Sequence, residues 1–253
     1  MFPVIEFSGY NFSSYFIILS IVYCIGIQYF FIRLKKFPLK SSVGADFLLV
    51  LLIFGIIGAR LFYVFYQDSD FYLKNPKDIL FLWKGGFVFY GGFITAFIFG
   101  AIFLKLKKQN ILIWLDASAP VAALSYGLGR LACFFNSCCY GEITQNFLGL
   151  KFPQLPGLRH PTQLYAVVYE LVIWIVLLIL ERKINLFKKN IGLLFFTWIF
   201  LHGIGRIIME FFRADPRGEL VYGFTISTLI SVFLIILDII TLLFIIKKSE
   251  KGK

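Results

Sequence analysis

The sequence predicts an all-α integral membrane protein with seven transmembrane helices, and three observations support this prediction. Of its 253 residues, 59% are hydrophobic and only 15% are charged, and the mean hydropathy is +0.83. Seven apolar runs approach the length of about 20 residues that a helix needs to cross a bilayer. Lys and Arg are concentrated in alternate connections between these runs. We therefore expect a single membrane-embedded domain over residues 1–253.

The predicted spans are apolar runs that end at charged or turn-forming residues. They cover residues 13–32, 47–65, 87–104, 111–126, 164–180, 192–209 and 224–246. The first run has no short apolar core followed by an A-x-A-like cleavage site, so we expect an uncleaved span. The fourth run is short and contains Asp116 and Pro120, which argues against one regular helix there.

The charge distribution predicts the orientation of the chain. Connections at 33–40, 105–108, 182–189 and 247–253 hold 15 Lys and Arg, whereas the alternate connections hold 8. Positive charge is retained in the cytoplasm, so the N-terminus is expected outside and the C-terminus inside. The net charge of +11 is not gathered into a face that could follow a phosphate backbone, which argues against nucleic acid as a partner.

The strongest signal for function is a stripe of ionisable residues in the sixth span. His202, Arg206 and Glu210 are spaced four residues apart, so they share one helix face. Ionisable residues in lipid usually pair, face the bundle interior or mark a functional site. Two interpretations stay open here: a functional site, or an Arg206–Glu210 ion pair that locks helix packing.

The second span and the connection after it contain a weaker signal. Arg60 and Tyr63 share a face and follow Gly55 and Gly58, whose missing side chains allow close helix approach. Arg60 is interpreted either as a phosphate ligand or as a side chain that snorkels to the interface. The following segment KGGFVFYGG, with glycine pairs around Tyr90, is either a phosphate-binding turn or a helix-packing segment.

The segment 127–163 is predicted to lie outside and holds two unusual motifs, so any chemistry is expected at the outer leaflet. In GRLACFFNSCCYG, Arg130 is suited to bidentate phosphate binding and Asn136 to neutral hydrogen bonds. In RHPTQLY, a helix start next to the membrane interface accounts for the Pro, the polar residues and the Tyr.

Cysteine usage leaves several alternatives open. Cys24 is expected to be buried in the first span, while three cysteines lie in the outer segment: Cys133, Cys138 and Cys139. Their C-x4-C-C spacing is not a standard zinc pattern, so no metal site is predicted. A Cys133–Cys138 disulfide, a vicinal pair, packed free thiols and a nucleophilic Cys stay open.

Three motifs carry a resemblance to a known family: GRLACFFNSCCYG, RHPTQLY and GIGRIIMEFFRADPRG. In this order and spacing, in a chain with seven predicted spans, they resemble the prolipoprotein diacylglyceryl transferase family over nearly the whole chain. The combination of HP-[ST]-QLY with R-x-x-x-E-F-F-R is highly specific, and the glycine pairs and ARLFYVFY add support. The family's topology, with the N-terminus outside, agrees with the charge distribution.

The resemblance implies a reaction that needs no metal or organic cofactor. The diacylglyceryl group of phosphatidylglycerol is transferred to the lipobox cysteine thiol of a preprolipoprotein, and glycerol 1-phosphate is released. The implied partners are phosphatidylglycerol, the lipobox region and membrane lipid. The implied location is the bacterial cytoplasmic (inner) membrane, with the active site toward the outer leaflet. This chemistry needs a proton acceptor, cations for the phosphate and an apolar cavity.

The resemblance also implies roles for individual residues. Arg206 matches the Arg of R-x-x-x-E-F-F-R beside the reaction centre, Glu210 would orient it, and Arg130 would bind the lipid phosphate. The other substrate-binding residues implied by matching motifs are Tyr15, Arg60, Asn136, Gly141, His160, Gln163 and Tyr165.

This sequence departs from the family pattern inside the motifs. Cys133 and Cys138 stand where the family often has Asn and Glu, and Glu142 is a nearby substitute for the missing Glu. Tyr90 stands where the family often has His, and His202 stands where it often has Tyr. Our hypothesis is that Tyr90 and His202 face one cavity, with His202 as the proton acceptor.

Other functions remain as alternatives at this point. The same scaffold could serve a transferase with a different acceptor or anionic lipid, because a fold does not determine its substrate. A non-catalytic lipid-binding or transport paralogue, and a redox protein built on Cys138 and Cys139, are the further candidates. The retained arginines, Glu210 and HPTQLY favour the transferase.

Overall fold

The computed structural model describes residues 3–7, 10–66, 69–82, 85–153, 155–215 and 224–251. Within these residues, seven helices of at least 18 residues follow the seven predicted runs. All helices in chain order are α1 (Ser14–Leu34), α2 (Ser41–Tyr66), α3 (Ser69–Lys74), α4 (Phe89–Leu106), α5 (Ile111–Phe135), α6 (Thr162–Lys183), α7 (Asn185–Lys189), α8 (Leu193–Glu210) and α9 (Ile226–Lys251). A 3₁₀ helix, Pro76–Leu80, follows α3.

The described strands form two short antiparallel hairpins, and the predicted all-α class is otherwise confirmed for the described residues. β1 (Val4–Phe7) pairs with β2 (Tyr10–Ser13) directly before α1. β3 (Leu150–Lys151) pairs with β4 (Leu158–Arg159) between α5 and α6. Neither hairpin was predicted from the sequence, because two to four residues are too few for a clear alternating pattern.

Five of the described helices, α1, α2, α5, α6 and α8, are long and apolar enough to cross a bilayer. α4 and α9 contain shorter apolar stretches, Gly91–Leu106 and Ser227–Leu243. Large apolar side chains are exposed on these helices, with Phe65 74% and Leu243 64% exposed. Such exposure suits contact with lipid rather than with water.

Helix α5 differs from the predicted fourth span. The prediction ended the span at Tyr126 and treated residues 127–163 as a loop, but one helix runs from Ile111 to Phe135 across Pro120. A helical proline leaves the carbonyl four residues earlier without its usual donor. Here that carbonyl belongs to Asp116, and Arg33 Nη2 donates to it at 3.5 Å. Arg130 and Cys133 are therefore helical residues and not loop residues.

The chain forms two compact units, and the smaller one is Leu34–Trp114. In this unit α2 and α4 pack closely because glycines face each other. A Cβ on Gly92 would lie 2.7 Å from the carbonyl oxygen of Gly55, and a Cβ on Gly58 would lie 2.7 Å from that of Gly91. Phe54 and Phe99 stack beside them, with ring centroids 3.9 Å apart. The helix-packing interpretation is confirmed for Gly91 and Gly92, whereas Gly85 and Gly86 lie before α4 with positive φ angles of 78° and 81°.

The larger unit consists of Met1–Arg33 and Leu115–Lys253. Its core lies where α5, α6 and α8 meet, and small residues on α5 allow larger side chains from the other two helices to approach. The buried members are Ala119, Ala123, Ile173, Leu177, Leu194, Phe195 and Trp198. On α8, Gly205 leaves room for the ring of Tyr169, which a Cβ would contact at 1.9 Å.

A buried polar cluster joins α1, α5, α6 and the start of α8 in the larger unit. Arg33 is 0% exposed and forms a bidentate pair with Glu181, both contacts measuring 2.6 Å. The Asp116 carboxylate accepts N–H groups from Gly192 at 2.6 Å and Phe195 at 3.0 Å. It therefore caps the N-terminus of α8, where a negative charge is favourable. The sequence placed Arg33 in the connection after the first span, but it lies in the last turn of α1. The expected burial of Cys24 was also wrong, because Cys24 is exposed.

Candidate functional site

The predicted ionisable stripe lies in the last three turns of α8. Arg206 Nη1 donates to Glu210 Oε2 at 3.0 Å, with the two side chains 11% and 17% exposed. This ion pair was expected from the four-residue spacing. Arg206 lines a polar cavity, so the pair does more than join two turns of one helix.

His202, one turn earlier, forms a contact that the sequence analysis did not predict. Its Nδ1 lies 2.5 Å from Oε1 of Glu170 on α6, a carboxylate that is 2% exposed. The edge of the Tyr126 ring meets the imidazole with centroids 4.5 Å apart, and Trp198 packs at 5.6 Å. Glu170 was not singled out in the sequence, although an acid inside an apolar run is a signal that could have identified it. The other carboxylate oxygen, Oε2, has no hydrogen-bond partner among the described residues.

Arg130 approaches the same cavity from α5. It donates to the hydroxyl of Tyr126, one turn earlier, and its guanidinium lies 4.7 Å from the centroid of that ring. Its Nη1 is 4.0 Å from Sγ of Cys139. Within the described part of the chain, no carboxylate pairs with Arg130. A half-buried guanidinium with only neutral or weakly acidic partners is suited to bind an anion.

Side chains from α5, α6 and α8 and the segments next to them enclose this polar cavity. Its lining residues are Tyr126, Arg130, Cys139, Thr162, Gln163, Ala166, Tyr169, Glu170, His202, Gly205, Arg206, Met209 and Arg213. The cavity volume is about 20 Å³, close to the space that one water molecule needs. The side chains must therefore move apart before a headgroup can enter. Among the predicted site residues, Arg130, Gln163, His202 and Arg206 meet here.

A second, apolar cavity of about 700 Å³ lies beside the first. Tyr169 and Met209 line both cavities, and the second is otherwise lined mainly by aliphatic and aromatic side chains such as Leu164, Tyr165 and Val168. The two cavities together present cations at one end and an apolar surface at the other. This combination is suited to an amphiphilic anion.

Arg213, which follows Glu210 in the motif R-x-x-x-E-F-F-R, also lines the polar cavity. It forms a bidentate pair with Asp215, with contacts of 2.8 and 2.7 Å. Burial acts to lower the pKa of the Arg213 guanidinium, but the hydrogen bonds to Asp215 and the charge interactions with Cys139 and Asp215 together outweigh it, so the pKa is raised. Arg213 therefore stays charged and brings a third guanidinium to the cavity.

The segment with the paired cysteines is held against the start of α6. Thr162 Oγ1 donates to the carbonyl of Cys139, and Gln163 Nε2 donates to that of Cys138, both at 2.5 Å. Hydrogen bonds with Cys133 and Cys138 lower the pKa of the Cys139 thiol, and the positive charges of Arg213 and Arg130 act in the same direction. The four cysteines are free thiols.

The HPTQLY segment contributes Thr162 and Gln163 to the polar cavity, and its His160 contacts neighbouring segments. His160 Nδ1 lies 2.9 Å from the Tyr165 hydroxyl, and Gly141 donates its N–H to the His160 carbonyl at 2.9 Å. A Cβ on Gly141 would lie 2.6 Å from the Phe212 carbonyl oxygen. The predicted helix start is confirmed, since α6 begins at Thr162 directly after Pro161. His160 and Gly141 do not line the polar cavity, and Tyr165 lines the apolar one.

The other predicted residues occupy different surroundings. Arg60 is 2% exposed and does not snorkel; it donates to the carbonyls of Ile79 at 3.1 Å and Asp78 at 2.8 Å, and also to Gly85. These hydrogen bonds indicate that Arg60 stabilises the connection that follows α3. Tyr90 lies in the first turn of α4, but its side chain is outside the described part of the structure.

Two further predicted residues border the cysteine segment. Tyr15, in the first turn of α1, interacts electrostatically with Arg130 and with the outer cysteines. Asn136 follows α5 directly, is exposed, and hydrogen-bonds to the side chain of Cys138. Neither residue lines the polar cavity.

The fold and the site together define a multi-pass helical membrane protein whose cationic cavity adjoins an apolar one. The model of the family described as prolipoprotein diacylglyceryl transferase matches residues 3–244. The chain belongs to this family, as the sequence motifs indicated.

Named relatives agree with the family match. The chain is 34% identical over 224 residues to a phosphatidylglycerol–prolipoprotein diacylglyceryl transferase of Clostridium tetani, covering 85% of this chain and 87% of the relative. It is 32% identical to proteins of the same name from Geobacter sulfurreducens, covering 79% and 78%, and from Francisella tularensis subsp. novicida, covering 85% and 81%. These alignments extend over most of both chains in each case.

Proposed function

We propose that this protein transfers the diacylglyceryl group of phosphatidylglycerol to the lipobox cysteine of preprolipoproteins. The proposal rests mainly on the polar cavity. There His202 pairs with the buried Glu170, and Arg130 enters the same cavity without a carboxylate partner among the described residues. The cavity thus combines a proton acceptor with a cation for a phosphate. The family match and the names of the relatives support the same activity.

Arg130 is proposed to bind the lipid phosphate, with Arg206 on the other side of the cavity. A guanidinium donates two parallel N–H groups to a phosphate, which gives orientation as well as charge neutralisation. Arg206 is already paired with Glu210 at 3.0 Å, so the ion pair fixes the position of its guanidinium in the cavity. As the bond to the phosphate breaks, negative charge develops between these arginines, and their stabilisation of it increases.

The acyl chains are proposed to occupy the apolar cavity. Its volume of about 700 Å³ and its lining by Leu164, Tyr165 and Val168 suit an apolar tail that enters sideways from lipid. Tyr169 and Met209 separate it from the polar cavity. A diacylglyceryl group that lies across these two residues has its phosphate end toward the arginines.

His202 is proposed to take the thiol proton. With Nδ1 on Glu170 Oε1, a neutral imidazole donates from Nδ1 and keeps Nε2 as the acceptor. The thiol sulfur forms a bond to the glyceryl carbon, the bond between that carbon and the phosphate oxygen breaks, and glycerol 1-phosphate departs with the electron pair. The thiol proton passes to Nε2. Glu170 orients the ring and stabilises its charged form.

The wider topology belongs to the same proposal. Seven spans, an outside N-terminus and a cytoplasmic C-terminus are supported by the seven described long helices and by the bias of Lys and Arg. This arrangement turns the polar cavity toward the outer leaflet of the bacterial cytoplasmic membrane.

The test is a transfer assay with purified protein in detergent, phosphatidylglycerol and a lipobox peptide that contains either Cys or Ser. We expect the Cys peptide alone to gain the mass of one diacylglyceryl group. His202→Ala is expected to reduce the rate by about 10²–10⁴-fold, whereas Arg182→Gln, an exposed charge at the end of α6, is expected to leave it unchanged.

Two outcomes would redirect the proposal. Full activity in His202→Ala together with loss in Arg206→Ala would remove His202 from the role of base. No mass gain on either peptide, by folded protein that still binds phosphatidylglycerol, would favour a lipid-binding paralogue, with the substitutions at Cys133 and Cys138 as the reason.

A further inference from the structure

The proposed reaction does not use the three outer cysteines, although the structure brings them together. The Sγ atoms of Cys133, Cys138 and Cys139 all lie within 4.8 Å of one another. One sulfur comes from the last turn of α5 and two come from the segment that follows it. Three mutually close thiols exceed what one disulfide needs, since a disulfide uses two sulfurs and leaves the third out.

The backbone holds the thiols in this arrangement. Ser137 and Cys139 have positive φ angles of 57° and 59°, a conformation that costs free energy for residues other than glycine. Cys138 donates its N–H to the carbonyl of Cys133 at 3.1 Å, which closes the turn. The hydrogen bonds from Thr162 and Gln163 to the two cysteine carbonyls fix the segment from the other side. The thiols are thus positioned by their surroundings and not by one another alone.

We propose that Cys133, Cys138 and Cys139 form a three-coordinate site for a thiophilic cation, specifically Cu⁺. An ion about 2.3 Å from three sulfurs requires S···S separations of about 4 Å, and the observed separations, all within 4.8 Å, approach this arrangement. Soft thiolate ligands select Cu⁺, and zinc almost always takes four ligands in structural sites. The described His, Cys, Asp and Glu residues supply only these three donors to the cluster.

Charge and proton balance are consistent with this site. Binding forms three S–Cu bonds and releases three thiol protons, with no change in oxidation state. The product has a net charge of −2, and Arg130 Nη1 already lies 4.0 Å from Sγ of Cys139. Arg213 also interacts electrostatically with Cys139. Two guanidiniums therefore stand beside the charge that a loaded site creates.

The test uses the full chain, purified in detergent and kept reduced, with Cu⁺ delivered from a coloured Cu⁺ chelator. We expect one Cu⁺ per protein to leave the chelator, and X-ray absorption of the wild-type complex to show three sulfur ligands. Cys133→Ser, Cys138→Ser and Cys139→Ser are each expected to weaken binding by at least tenfold. Cys24→Ser, which changes the exposed thiol of α1, is the matched control and is expected to bind as the wild type does.

Several results would overturn the assignment. These are no Cu⁺ uptake by the reduced wild-type protein, fewer than three sulfur ligands in the absorption spectrum, or unchanged affinity in all three variants. The absorption measurement needs no variant, so a substitution that disturbs folding does not weaken the test. A purified protein two mass units lighter than its reduced form, which takes up no Cu⁺ after reduction, would assign the thiols to disulfide chemistry.

Discussion

Arg33 and Arg130 are two arginines of the same compact unit, and their surroundings differ in one decisive respect. Arg33 is 0% exposed and meets the carboxylate of Glu181 in two contacts of 2.6 Å, with further bonds to carbonyls of α5. Arg130 meets a phenol and a thiol, and no carboxylate pairs with it among the described residues. The first charge is neutralised inside the protein, and the second is available to an external anion.

This difference separates arginines with a structural role from those with a functional role, although all of them lie on long apolar helices. A guanidinium with all its donors on carboxylate and carbonyl oxygens stabilises helix contacts, and Arg60 on α2 follows this pattern with its bonds to backbone carbonyls. A guanidinium that lines a cavity keeps capacity for substrate. Substitutions at the two kinds of site are therefore expected to affect different measurements.

Arg130→Ala is expected to have the largest effect on activity. Loss of the phosphate-binding cation should reduce the transfer rate by about 10³-fold, while thermal unfolding stays close to wild type because no carboxylate is left unpaired. Arg130→Lys should recover only part of the rate, since Lys cannot donate bidentately. The rates come from the lipobox-peptide assay and the stability from thermal unfolding in detergent. Wild-type transfer in Arg130→Ala would show that the cavity does not bind the phosphate.

Arg33→Met is expected to show the opposite pattern. It leaves the Glu181 carboxylate, 21% exposed, without its partner, which costs about 3–5 kcal/mol in comparable buried pairs. The midpoint of thermal unfolding should fall, and the transfer rate per folded molecule should not change. The double variant Arg33→Met/Glu181→Leu removes both charges and should recover most of the loss. A lower transfer rate per folded molecule of Arg33→Met would contradict the assignment of a purely structural role to Arg33.

Most of the fold was predictable from the sequence, because apolar run length and charge placement depend only on local composition. The helix from Ile111 to Phe135 was the exception. Asp116 and Pro120 argued against one regular helix there, and the compensating donor to the Asp116 carbonyl is Arg33, 83 residues away in sequence. Such a long-range contact leaves no local pattern, so the extension of α5 required the structure.

The site was predictable in part, for a related reason. The stripe of α8 follows from helical spacing, and Arg130 was identified through its motif. The partner of His202 was missed because Glu170 lies on another helix, 32 residues away. The apolar cavity was likewise not locatable, since it depends on how Tyr169 and Met209 divide the space between two helices.

Glu170→Gln tests the orienting role of the buried acid and should have an intermediate effect. The amide keeps the size of the side chain but removes the charge that stabilises protonated His202, so the transfer rate should fall by about 10–100-fold. Because the effect acts through catalysis, the rate should fall at saturating phosphatidylglycerol with little change in KM. The matched control is Asp46→Asn, an acid in a surface pair with Lys107 at 3.9 Å. An equal loss in both variants would indicate a nonspecific charge effect.

Asp116→Ala should have the smallest effect and sharpens the structural side of the comparison. Its carboxylate accepts N–H groups from Gly192 and Phe195 at the start of α8, and losing such a cap costs about 1 kcal/mol. Because His202 and Arg206 lie three to four turns further along the same helix, fraying at the start should lower the unfolding midpoint without altering the rate of folded protein. Asp116→Asn keeps an acceptor oxygen and should recover part of the stability. A rate loss in Asp116→Ala as large as that in Glu170→Gln would mean that the start of α8 controls the geometry of the cavity, and the separation between structural and functional charges would then fail.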